Sequence, residues 1–442
     1  MEYERLLLEG ADLIDGTGAP VVKDALVLIK GAHVEYAGPR TRQAHEVPAR
    51  RLDVHGKTLI PGLIEAHTHA HFDADMIAYV KNGITTIRFA GLDESTVAKL
   101  RGRIEKHEIV GPRILSCGPM IDEPPPAYPE WSVAVRSPAE AAGAAERLIR
   151  SGDVDALIVT QRVTAPVMRA VVDTAHRHGC SVIGQTWAVD GKEAADLGID
   201  ELHNSSRVYA SREYPKDRLL RYESISDRLA LSGRAWATID WDATRRIMEA
   251  MVQRRVRYCG MQVITQFQAG VGLAELENDP DFLRLFGTTE RQSFLHFTKR
   301  LQGTWTTEDL EHWKVANDNR MEWMRRFHAM GGDLLVGTDM QFGGIMFHRE
   351  LRNMAELGLS PLQALVAATG GCARALRMET KLGAIRDGLL ADIVVLNRDP
   401  LEDLTALRDI ACVIKGGVVV WVNAGQQLPS AETTLQRALE QP

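Results

Sequence analysis

Ile60-Pro61-Gly62-Leu63-Ile64-Glu65-Ala66-His67-Thr68-His69-Ala70-His71 is the stretch on which the reading of this chain turns. A largely apolar run, broken by Pro61 and Gly62 and carrying Glu65, leads straight into histidines one residue apart, as expected of a buried strand that carries its polar groups at one end. Side chains two apart along a strand point the same way, so His67 and His69 can aim both imidazoles at one point. A metal ion needs that convergence, whereas a hydrophobic core does not. The competing reading is a pair of satisfied structural histidines, and the rest of the chain has to decide between the two.

Outward from this stretch, strands alternate with helical segments. Strand candidates lie at 59–67, 85–89, 113–117, 156–160, 181–185, 201–204, 257–265 and 334–339, and amphipathic helices are expected at 138–151, 165–178 and 307–330. Eight strands in a βα rhythm predict an α/β fold, a (β/α)8 TIM barrel spanning 58–379, whose active site is built at the C-terminal strand ends. Residues 1–57 and 380–430 hold short strands too few to form a core at either end alone, including a Gly416-Gly417 hairpin signal. They predict one small composite β-sandwich made from both chain ends, followed by a tail at 431–442.

Composition excludes several functions. At 442 residues with mixed charges and a formal net charge of −7, the chain has no basic stripe for nucleic acid or anionic membrane. Cys117, Cys180, Cys259, Cys372 and Cys412 form no C-x-x-C pair, which argues for free thiols in a reducing compartment. The N-terminus lacks a secretion signal and no apolar run reaches membrane length. A cytoplasmic protein acting on a small molecule is expected, with a homo-oligomer as its assembly.

From Pro61 to His69 the chain resembles the first barrel strand of the amidohydrolase superfamily, in particular its imidazolonepropionase-like and prolidase-like group, with Glu65 in place of the usual Asp. Asn82-Gly83-Ile84-Thr85-Thr86-Ile87-Arg88, Gly111-Pro112-Arg113-Ile114-Leu115, Val336-Gly337-Thr338-Asp339 and the run 362–420 are similar to the same group, in the same order. The resemblance implies the barrel and its composite β domain, and leaves a gap between about 204 and 325. Within that gap Tyr209, Tyr214, Trp236, Trp241, Phe282, Phe286 and Trp305 suggest an aromatic-rich insertion or lid at about 205–310. Pro124-Pro125-Pro126-Ala127-Tyr128-Pro129-Glu130-Trp131 reads as a second, stiff cover.

The middle strands depart from the family. Where related enzymes carry a metal-bridging lysine, a histidine and a Glu-His pair, this chain has Ile158, Gln185 and His203-Asn204. Strand alternation puts His203 and Asn204 on opposite faces, so that His203 faces away from the site unless a bulge re-aims it.

The expected site therefore has His67, His69 and Asp339 as metal ligands, Asp339 and His203 as catalytic groups, and Gln161, Gln185, Asn204 and His348 in contact with substrate. His348, with Arg349, would hold a substrate anion at the pocket mouth. His71 is a less favoured ligand, His176 and His178 are read as solvated, and Asp73 and Asp75 as helix caps. Loss of the lysine and the histidine argues for one divalent ion, zinc first, with manganese or iron as alternatives. The implied reaction is hydrolysis of an amide-like or cyclic amide C–N bond. A decarboxylase, another lyase or isomerase, or a binding protein with a degenerate site are the rival readings.

Overall fold

A computed structural model describes residues 5–40 and 46–423, so the expected tail at 431–442, and residues 424–430 of the composite β domain, lie outside the described residues. Within them, both chain ends share one sheet. Arg5–Leu13, Val22–Lys30, His33–Pro39, Arg50–Asp53 and Thr58–Pro61 join Ile393–Leu396, Ile410–Lys415 and Val418–Val422 in eight strands. The seam is Thr58–Pro61 against Ile393–Leu396, antiparallel, with Pro61 opposite Ile393 and Thr58 opposite Leu396. Along that C-terminal strand Ile393 and Val395 enter a core shared with Leu8, Val27 and Leu59, whereas Val394 and Leu396 face the main core of the chain. Burial on both faces explains why the strand reads as an unbroken apolar run.

All eight expected barrel strands form: Leu63–Thr68, Ile84–Phe89, Arg113–Ser116, Ala156–Val159, Ser181–Gly184, Glu201–His203, Arg257–Cys259 and Leu334–Leu335. They fall in two parallel sheets. Backbone hydrogen bonds close these into a ring: Ala66 N to Val336 O (3.0 Å), Asp339 N to His67 O (3.0 Å) and Asp155 N to Ser116 O (2.7 Å). The side-chain period is visible in the fourth and fifth strands. Ala156, Ile158 and Ile183 pack with Cys117 and Met120 inside the ring, while Leu157, Val159 and Val182 face the helices.

Two expected boundaries move. The strand read as 59–67 is two strands that part at Gly62, because the chain there passes from sheet to barrel. A Cβ on Gly62 would lie 2.0 Å from Thr85 Oγ1, so only glycine lets the backbone pass. The seventh strand ends at Cys259, and Gln262–Gln268 is a helix. Its first N–H groups, on Gln262 and Val263, are accepted by the Glu350 carboxylate at 2.9 and 2.8 Å. Short apolar runs do not separate strand from buried helix by periodicity, and this distant cap decides the matter.

The stretch at 205–310 is not a single insertion, since it contains the seventh barrel strand among its helices. Tyr209, Trp236, Phe282 and Phe286 are at most 2% exposed, so much of the aromatic excess packs helices together rather than forming a loose cover. Among the described residues no helix is long and apolar enough to cross a membrane.

Candidate active site

The first and eighth strands deliver their polar ends to one place. His67 lies within its strand and His69 just beyond it, as the two-residue spacing predicts. Asp339 adopts a left-handed φ of 55°, which turns its carboxylate back towards them. Its Oδ1 lies 3.0 Å from His69 Nε2 and 3.4 Å from His67 Nε2. One donor atom from each of the three residues falls within 4.8 Å of the others. Glu65 locks the strands together: Oε1 accepts from His67 N at 2.9 Å and Thr338 N at 3.0 Å. Burial pushes its pKa up to about 8. Gly337 is required by packing, because a Cβ there would sit 2.7 Å from Cys259 Sγ.

Behind His67 a chain of groups sets the tautomer of its ring. Burial alone would raise Glu201, but the Arg88 charge more than offsets it and holds the carboxylate ionised. Arg88 binds it in a fork of 3.0 and 2.5 Å, both side chains at most 1% exposed. His203 Nε2 lies 3.1 Å from Glu201 and His203 Nδ1 lies 2.7 Å from His67 Nδ1. Burial lowers both histidines, His67 to about 3, so both rings are neutral. An ionised carboxylate requires the His203 proton on Nε2. His203 Nδ1 is then the acceptor, and His67 Nδ1 must donate to it. His67 Nε2 is left as a lone pair, buried without a hydrogen-bond partner and facing Asp339. A lone pair aimed at a carboxylate is repulsive until a cation lies between them, so these residues fit a divalent ion.

The relation of His203 to Asn204 corrects the sequence expectation. Both approach the site: the strand ends at His203, so alternation stops and Asn204 turns inward, with Nδ2 3.3 Å from Asp339 Oδ2. His203 shares the inward face with Glu201. With both ring nitrogens engaged and no exposure, His203 acts through His67, which corrects its expected role as a catalytic group.

A cavity of about 390 Å³ opens over this cluster and is lined by His69, Asp339, Gln185 and Asn204 among others. Trp131 of the proline-rich loop stacks on His69 at 5.8 Å and on Tyr128 at 5.9 Å. Two expected contacts are absent from the lining. Gln161 is fully buried, and its carbonyl accepts from Trp187 N and Ala188 N at 3.1 and 3.0 Å. It supports Trp187, which does line the cavity. His348 is buried on helix Gly343–Glu356 with Nε2 3.0 Å from the Asn82 carbonyl, and burial lowers it to about 3. Arg349 is committed to Glu275 and to Gln266 Oε1. Neither holds an anion at the mouth, because the helix turns its apolar and hydrogen-bonded face inward.

The remaining candidates are structural. His71 Nδ1 lies 2.8 Å from the His69 carbonyl, and His176 and His178 form outlying pairs with Asp200 and Glu146. Asp75 accepts from Phe72 N as a cap. Sequence reasoning missed Arg88, Glu201, Arg228 and Arg320; the Glu201-x-His203 spacing is the one signal that could have disclosed the relay.

Parts of the chain, and its fold, are similar to known proteins. A profile of the Amidohydrolase family matches residues 305–420. A 5-methylthioadenosine/S-adenosylhomocysteine deaminase from Symbiobacterium thermophilum is 40% identical over 68 residues, 15% of this chain and 16% of that protein. An imidazolonepropionase from Caulobacter vibrioides is 32% identical over 87 residues, 20% of each. The matched stretches thus span a fifth or less of these curated relatives. In structure, a Xaa-Pro dipeptidase with bound methionine is similar at a TM-score of 0.69 and 19% identity, covering 95% of this chain and 100% of that one; this likeness is one of fold. The Amidohydrolase family match thus lies in the C-terminal part of the chain, and the fold over nearly all of it is that of the Xaa-Pro dipeptidase.

Proposed function

We propose that this protein hydrolyses an amide-like or cyclic amide C–N bond of a small molecule, with one divalent ion, zinc before manganese or iron, held by His67, His69 and Asp339. The observation that carries the reading is the buried, unpartnered Nε2 of His67 facing Asp339 beside a second imidazole. When bound, the ion supplies a Lewis acid that polarises a carbonyl and acidifies water. Asp339 takes the proton of the attacking water and returns it to the nitrogen that leaves as the C–N bond breaks. Asn204, 3.3 Å from Asp339 Oδ2, keeps that carboxylate in place. Gln185 and Asn204 face the cavity with amide groups that can donate to a carbonyl oxygen. Ile158 inside the barrel offers no donor for a second ion, which supports a single one.

Five buried free thiols support a cytoplasmic setting, and a homo-oligomer is the assembly proposed, to be tested by sedimentation. The function is tested by elemental analysis of zinc-supplemented protein, followed by a screen of acyl amino acids and cyclic amides in isotopically labelled water. About one equivalent of metal and label in the carboxyl product are expected. Metal-free protein after supplementation would sink the site. Product without label would replace hydrolysis by a lyase reaction.

A further inference from the structure

Arg228 lies on helix Ile225–Ala237 and is 5% exposed. Its guanidinium lies 5.3 Å from the centroid of the Tyr128 ring and 5.9 Å from that of Trp187, and Nη2 donates to the Tyr128 hydroxyl. No acidic side chain among the described residues pairs with it. Arg320, the other cavity cation, differs: its Nη1 and Nη2 donate to the carbonyls of Asn204 and Gly260 at 3.2 and 3.1 Å. Asp122, whose charge reaches Tyr128, is engaged by the backbone N–H groups of Glu123, Ala127 and Arg162.

A buried cation without a counter-ion is costly, and aromatic faces offset only part of the lost hydration. Arg228 nevertheless lines the same cavity as His69 and Asp339. The acidic groups of that lining are Asp339, at the histidine cluster, and Glu130, at the exposed rim. The Trp131 and Tyr128 rings run from His69 towards Arg228 in successive contacts of 5.8, 5.9 and 5.3 Å. A ligand reaching from one end to the other lies along an aromatic wall.

We propose that Arg228 is the substrate-carboxylate site, and that the substrate is an amphipathic acid: a carboxylate on the Arg228 fork, an apolar body along Tyr128 and Trp131, and the scissile amide at the His67–His69–Asp339 end. A guanidinium matches a carboxylate with two parallel N–H donors. The proposal deepens the hydrolase reading and rests on it only for the bond that is cut.

Calorimetric titration of the zinc-loaded full chain with probes that it cannot hydrolyse tests this directly. Phenylbutyrate and indolebutyrate are compared with their neutral alcohols. Wild type should bind each acid at least about tenfold more tightly than its alcohol. Arg228→Met should abolish that preference while leaving alcohol affinity and zinc content unchanged. A carboxylate landing on the ion instead would keep its preference in the variant, which would overturn the proposal, as would equal binding of acid and alcohol by wild type. If Arg228→Met does not fold, Arg228→Lys decides: it keeps the charge and loses the fork, so acid affinity should fall while alcohol affinity holds, and unchanged acid affinity would overturn the proposal. Turnover of 4-(4-acetamidophenyl)butyrate, which carries its amide and its carboxylate at opposite ends of an apolar body, and of the corresponding neutral alcohol separates the two readings. No hydrolysis of any substrate, with acid preference intact, sinks the hydrolase and spares Arg228. Equal hydrolysis of acid and alcohol does the reverse.

Discussion

The rim of the barrel has two unlike halves. At the first and eighth strands, His67, His69 and Asp339 converge, and Glu65 bridges His67 N and Thr338 N to hold the strand ends in register. At the fourth, fifth and sixth strands the corresponding positions carry Ile158, Gln185 and Asn204. Ile158 is packed among apolar side chains, and the two amides line the cavity. The difference teaches that a side of the rim without a ligand cluster can still shape the cluster opposite. His203 and Glu201 of the sixth strand, with Arg88 of the second, hold the His67 ring, and the two amides form part of the cavity wall.

The sharpest way to break this comparison is on the ligand side. His67→Ala or Asp339→Ala should lower turnover by about a thousandfold or more and remove the bound ion, with only a modest fall in melting temperature. Unchanged turnover in either variant would remove the proposed site.

Glu201→Gln probes the supporting half. It leaves Arg88 buried without its partner and should cost about 3–5 kcal/mol in denaturant unfolding. Adding Arg88→Met should recover part of that stability. Zinc affinity, measured by competition with a chelator, should stay about 10–100-fold weakened in the double variant, because His203 no longer has an ionised carboxylate to set its tautomer. Recovered affinity would refute the relay.

Ile158→Lys tests whether one residue can turn the second half into a ligand side. It buries an ammonium among Ala156, Ile183, Cys117 and Met120, so stability should fall by about 2–5 kcal/mol with metal still at one equivalent. A second bound ion would show the halves to be closer than they look. The smallest effect is expected for Trp131→Ala, which removes a partly exposed ring stacked on His69: a loss of about 0.5–1.5 kcal/mol in ligand binding, read as a rise in KM with kcat nearly unchanged.

Much of this was legible from the amino-acid order. The two-residue spacing of His67 and His69 foretold that they share a face, since strand geometry is local. The helices Pro138–Ser151, Ala165–Arg177 and Thr307–Ala329 fall within a residue of expectation, because their apolar stripes and caps are local as well. The seventh strand was overextended because its helical ending depends on Glu350, about ninety residues away. His348 misled because sequence does not say which way a helix is turned.

The chain by itself determined the ring of eight strands, the shared terminal sheet and the three ligand candidates, all consequences of short-range periodicity and residue chemistry. Only the tertiary structure decided which proton His67 keeps, how Asn204 enters the site and that Arg228 stands in the cavity without a carboxylate. Those outcomes depend on contacts between strands and helices far apart in sequence, where the electrostatic environment is made by the fold and no local pattern records it.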